Sequence, residues 1–125
     1  MADRAFVPPT EDSKWRLYDE GRTIGRTGSE DGTIIRDEEH IDGALITLER
    51  QARHIPFAIT CGVYGWMVHT RYYGTIEAAQ YDFDEMKIAL AEILDLIPYK
   101  DDPEAEAKFE RVYPAIKAFV DRLPT

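Results

Sequence analysis

Between Ile76 and Ile97, apolar side chains recur at intervals of three and four: Ile76, Ala79, Phe83, Met86, Leu90, Ile93 and Ile97. At 3.6 residues per turn this spacing gathers them on one face of a helix about six turns long. Thr75 supplies an N-cap hydroxyl and Pro98 a stop. Ile88 and Leu94 widen the stripe beyond a narrow coiled-coil seam, which predicts a helix laid on a sheet rather than a dimerising coil. Such a helix needs a matching apolar surface, and the segment before it has the composition to provide one.

Phe57 to Tyr73 is rich in aromatic and β-branched residues and is punctuated by Gly62 and Gly65. Reading Gly62-Val63-Tyr64-Gly65 as a hairpin turn sets Cys61 opposite Trp66, Ile59 opposite Val68 and Phe57 opposite Thr70. That face is apolar and is expected beneath the helices. The other face then carries Thr60 with Met67, Ala58 with His69, and next Arg71 and Tyr73, open to solvent or a partner. One long strand with a bulge near the glycines preserves the same two faces.

Elsewhere the signals are shorter. Residues 1–13, with Pro8-Pro9, read as an N-terminal tail. Trp15 to Tyr18 and Thr33 to Arg36 have strand character, and the glycines between them mark turns rather than a phosphate or dinucleotide loop. Residues 37–53 fit two patterns. As a helix, Asp37 caps a face of Ile41, Ala44, Leu45, Leu48 and Ala52; as a strand, Ala44 to Arg50 alternates. Gly43, Ile46 and Thr47 weaken the helix, so the strand is preferred. A second helix starts with Asp102 as N-cap and Pro103, and carries Phe109, Val112, Ile116, Phe119, Val120 and Leu123, with Pro114 expected to kink or divide it. These elements predict a single α+β domain over residues 14–125: an antiparallel sheet of three to five strands with two C-terminal helices packed on one face.

The chain of 125 residues has the length of one domain, and its net charge of −9 opposes a phosphate backbone, with no local basic patch to offset it. Cys61 is the only cysteine, which excludes an intrachain disulfide. The N-terminus lacks the apolar core of a secretory signal, and no apolar run approaches bilayer length. A soluble cytoplasmic protein is the expectation.

No nucleophile elbow, phosphate loop or cofactor-binding motif is present, so no cofactor is expected. His40, His54 and His69 do not have metal-ligand spacing, although Asp37, Glu38 and Glu39 lie near the first. Cys61 is expected to be a buried structural thiol rather than a nucleophile. Two functional readings follow. In the leading one the domain is non-enzymatic and binds another protein, or a second copy of itself as a homodimer, through an open sheet face carrying Tyr64, Met67, His69, Arg71 and Tyr73. An acidic inhibitor of a basic partner is one form of it. In the alternative, His69, Arg71 and Glu49 build a small-molecule or hydrolytic site, with histidine as general base and arginine holding an anion.

Overall fold

The computed structural model describes residues 9–10 and 12–123; residues 1–8 and 11 of the expected tail lie outside them. Five strands, β1 (Trp15–Leu17), β2 (Thr33–His40), β3 (Ala44–Ala52), β4 (Ile55–Val63) and β5 (Met67–Tyr73), precede two helices, α1 (Ile76–Leu96) and α2 (Ala105–Arg122). The strands form an antiparallel meander in the order β1-β2-β3-β4-β5. Both helices lie on one face of it, as the sequence predicts. Among the described residues no helix is long and apolar enough to cross a membrane.

Residues 38–52 are strand on both sides of a tight turn, and Arg53 begins the next turn. Gly43 takes a left-handed backbone with φ of 116° and donates its N–H to the His40 carbonyl at 3.0 Å, a turn that suits glycine. β2 carries three successive acids, which disfavour strands, yet each has a specific partner. Asp37 accepts the hydroxyls of Thr47 and Thr23 at 2.7 and 2.9 Å. Glu38 meets Arg36 at 2.9 Å and Lys87 at 2.6 Å. Glu39 accepts Tyr64 Oη at 3.0 Å and pairs with Arg16 at 3.3 Å. Tertiary partners thus carry the strand four residues beyond its β-branched start.

Thr75 caps α1, accepting the Ala78 N–H at 3.2 Å, and Ala79, Phe83, Met86, Leu90 and Ile93 are buried against Ala44, Ile46, Leu48, Ile59, Cys61 and Val63. Ile88, expected to widen the stripe, is exposed. α2 starts at Ala105 with Glu104 in the N-cap position and no side-chain cap, two residues later than the sequence predicts; Asp102 instead braces the turn before it, accepting the Glu104 N–H at 2.9 Å and Lys108 Nζ at 2.7 Å. α2 runs through Pro114 without division. The carbonyl this proline leaves unpaired belongs to Glu110, and both residues are exposed, so water can satisfy it. Val112, Phe119 and Leu123 are buried as predicted, whereas Phe109 is half exposed.

Polar contacts fasten the helices to the sheet as well. Arg36 of β2 bonds Asp84 of α1 at 2.9 Å and stacks on the Phe83 ring, its guanidinium 4.0 Å from the centroid. At the other side of the sheet, Asp82 receives Arg71 and the Tyr73 hydroxyl, each at 2.9 Å.

Cys61 sits beneath α1, and burial pushes its thiol pKa up to about 12. It should react with Ellman's reagent only after denaturation; rapid reaction of the native protein would show that the thiol is not enclosed.

Candidate functional site: the open face of the sheet

The hairpin between β4 and β5 decides what the uncovered face displays. Its loop is Tyr64-Gly65-Trp66, closed by the Trp66 N–H on the Val63 carbonyl at 2.9 Å, with Gly65 left-handed at φ 82°. Gly62 remains inside β4, so Val63 pairs with Met67, Cys61 with His69, Ile59 with Arg71 and Phe57 with Tyr73. Relative to the predicted register, β5 has slid by three residues, since Cys61 meets His69 rather than Trp66. Side chains alternate with period two, so an odd slip exchanges the faces of a whole strand. β4 has the predicted orientation, but β5 is turned over. Met67, His69, Arg71 and Tyr73 project to the helix side, and Val68, Thr70 and Tyr72 to the open side.

This corrects the predicted residue set. His69 is buried, its Nε2 donating to the Leu123 carbonyl at the end of α2 and its ring set edge-on to Phe119. Arg71 and Tyr73 are held by Asp82. Glu49, paired across strands with Ala58, lies on the opposite face. The sheet therefore separates Glu49 from His69 and Arg71, and the geometry does not assemble the three. Of the five predicted interaction residues only Tyr64 stands freely exposed, at 52%. Among the described residues no three His, Cys, Asp or Glu side chains converge as metal ligands would.

The open face consists of three rungs running across β2 to β5. The middle rung is polar, Asp37-Thr47-Thr60-Thr70, with the Thr60 and Thr70 hydroxyls 3.3 Å apart. The rung toward the hairpin tip is Glu39-Leu45-Gly62-Val68. The third is Ile34-Glu49-Ala58-Tyr72. Because Gly62 has no side chain, the tip-side rung has a pit at its centre. Leu45, Thr60, Tyr64, Trp66 and Val68 surround it, and Gly28, Ser29 and Ile34 close its far end, enclosing a concavity of about 660 Å³. Among the described residues no charged side chain lines it. Val68 at its lip is 80% exposed, far more than a valine in a strand need be. The apolar surface continues over the tip, where Trp66 packs on Phe109 and Tyr113 of α2 with centroids 6.0 and 5.5 Å apart.

Two buried carboxylates hold the 22–32 loop over the β2–β3 end of this face. Glu49, 0% exposed, accepts the N–H of Gly32 at 2.9 Å and that of Glu30 at 3.2 Å. Asp37 holds the loop through Thr23. Burial raises both carboxyl pKa values, against the lowering effect of their hydrogen bonds. At the rim, burial and then the neighbouring Glu39 push the Tyr64 hydroxyl up to about 12.

Reasoning from the sequence missed Gly62, Leu45 and Val68. A usable signal was present: a glycine between Cys61 and Val63, inside a strongly β-forming run, marks a close approach or a missing side chain as readily as a turn. No protein-family model, curated protein or solved structure matches this chain.

Proposed function

We propose that this domain is a non-enzymatic protein-interaction module whose contact surface is the open sheet face around Gly62. The observation that supports this reading is an uncharged concavity of about 660 Å³, with Val68 and Tyr64 exposed at its lip, on the face that the helices leave bare. Binding hot spots favour such sites, where an apolar side chain enters a pocket beside aromatic residues. The partner is a protein presenting one protruding apolar side chain with basic residues beside it. Glu39 borders the pit through Tyr64, and the net charge of −9 draws a basic surface toward it.

The test fills the pit. Affinity capture with the wild-type domain recovers binding proteins, and titration calorimetry then compares each purified binder against wild type, Gly62→Leu, Leu45→Asp and Ile88→Asp. A Cβ at Gly62 would approach the Met67 carbonyl oxygen at 3.0 Å, so Leu45→Asp serves as an independent second change. Both face variants should weaken the partner at least about tenfold, as loss of a hot spot does. Ile88→Asp, on exposed α1 surface, should not, and affinity should fall with added salt. A binder indifferent to both face changes would refute the reading.

A further inference from the structure

β5 is one edge of the sheet, and among the described residues its outward backbone has no strand beside it. The Tyr64 N–H bonds the Gly43 carbonyl at 2.9 Å. By the alternation of an antiparallel ladder, Ala58, Thr60 and Gly62 therefore direct their backbone groups toward β3. Phe57, Ile59, Cys61 and Val63 then face β5 and bond with Tyr73, Arg71, His69 and Met67. Val68, Thr70 and Tyr72 are left pointing their N–H and C=O groups away from the sheet. Among the described residues none of these groups has a backbone partner beyond β4.

Natural edge strands are blunted by proline, lysine, a bulge or a covering element. β5, Met67-Val68-His69-Thr70-Arg71-Tyr72-Tyr73, has no proline or lysine and no register break against β4. Its one firm charge, Arg71, turns to the helix side and is neutralised by Asp82. Its open side shows only Val68, Thr70 and Tyr72.

We infer that the β5 edge pairs antiparallel with β5 of a second copy of this chain, about a two-fold axis at Thr70. That register satisfies every outward N–H and C=O of Val68, Thr70 and Tyr72. It sets Val68 against Tyr72 of the second copy, a β-branched and aromatic pair of the kind that stabilises sheets. The Asp37-Thr47-Thr60-Thr70 rung then continues through its own image, so the two open faces join into one ten-stranded surface from two five-stranded sheets. A second copy is the occupant because β5 complements itself in this register, Val68 meeting Tyr72 on both sides of the dyad; the strand itself presents only Val68, Thr70 and Tyr72, with the Tyr72 hydroxyl tied back to Glu30 of its own chain. Occupancy of the edge does not depend on the pit having a partner.

Sedimentation velocity over a concentration series, with circular dichroism to confirm folding, tests this on wild type and Thr70→Pro. Proline at Thr70 removes an outward N–H and no bond to β4, a position that edge strands tolerate. Wild type should be a reversible dimer, and Thr70→Pro should raise its dissociation constant at least about tenfold. Thr70→Cys supplies a readout that does not depend on proline being accommodated. In a hydrogen-bonded pair at the dyad the Cα atoms lie about 5.5 Å apart, within disulfide range. Mild oxidation should link Thr70→Cys into a covalent dimer and leave Ile88→Cys unlinked. A monomeric wild type at the highest concentration would overturn the proposal. So would a dimer that survives folded Thr70→Pro, or one whose Thr70→Cys form does not cross-link. A dimer lost on Gly62→Leu but kept in Thr70→Pro would place association on the face and also overturn the edge.

Discussion

Glu38→Ala should lower the unfolding free energy by about 3–5 kcal/mol in urea denaturation, the cost of removing one partner of a buried ion pair. Glu38 is only 1% exposed and lies between Arg36 at 2.9 Å and Lys87 at 2.6 Å. Arg36 is itself buried, and among the described residues its Nη1 has no hydrogen-bond partner, so its guanidinium depends on Glu38, Asp84 and the Phe83 ring. Without the Glu38 carboxylate, a cation that cannot deprotonate is left in the core beneath α1. Lys87 can extend toward solvent along its aliphatic stem, whereas Arg36 has no such route. The paired replacement Arg36→Met with Glu38→Leu should recover most of the loss, because well-packed apolar residues often substitute for a buried pair at little cost. If Glu38→Ala costs less than about 1 kcal/mol, as an exposed pair would, this network does not hold β2 to α1.

Gly28→Ala is expected to destabilise by about 1–3 kcal/mol, the usual range for forcing atoms into a packed site. A Cβ there would lie 2.4 Å from the Glu49 carboxyl carbon. That carboxylate cannot swing aside, because it is buried and fixed by the Gly32 and Glu30 N–H groups. In a double-mutant cycle, Gly28→Ala and Glu49→Ala should couple by at least about 0.5 kcal/mol, since each change relieves or creates the same overlap. Additivity would show that Gly28 and Glu49 do not pack as described.

Glu49 also gives this latch a pH signature. Its pKa is raised on folding, chiefly by burial, so the folded state binds this proton more tightly than the unfolded chain does. The stabilisation from that proton is fully present below the ordinary glutamate pKa and is lost as pH rises through the raised one. Between those limits, acidification should therefore favour wild type relative to Glu49→Gln, which has no proton to gain. A constant difference between the two across that window would mean that the carboxyl is not desolvated.

Much of the architecture is legible in the sequence. α1 emerged with its cap and stop because a stripe at spacings of three and four repeats long enough to outweigh local ambiguity. β3 followed from Gly43 and the β-branched pair near it. The extension of β2 through Asp37, Glu38 and Glu39 was not legible, because acidic residues disfavour strands unless partners stand near, and Thr23, Thr47, Lys87 and Tyr64 come from other elements.

For the candidate site, the sequence by itself determined that β4 would have an apolar face on Phe57, Ile59 and Cys61, and that a helix would cover it. Alternation within one strand is a local property, and hydrophobic burial then orients it. Which face of β5 stayed open was decided only by the tertiary structure. The predicted turn at Gly62–Gly65 and the observed loop Tyr64–Trp66 set registers three residues apart, an odd number, which reverses every side chain of β5. Composition could not choose between the faces, because His69, Arg71 and Tyr73 look polar until α2's terminal carbonyl and Asp82 of α1 accept their hydrogen bonds. Those acceptors lie outside the hairpin in sequence, and their arrival beside β5 is what leaves Val68, Thr70 and the Gly62 pit facing outward.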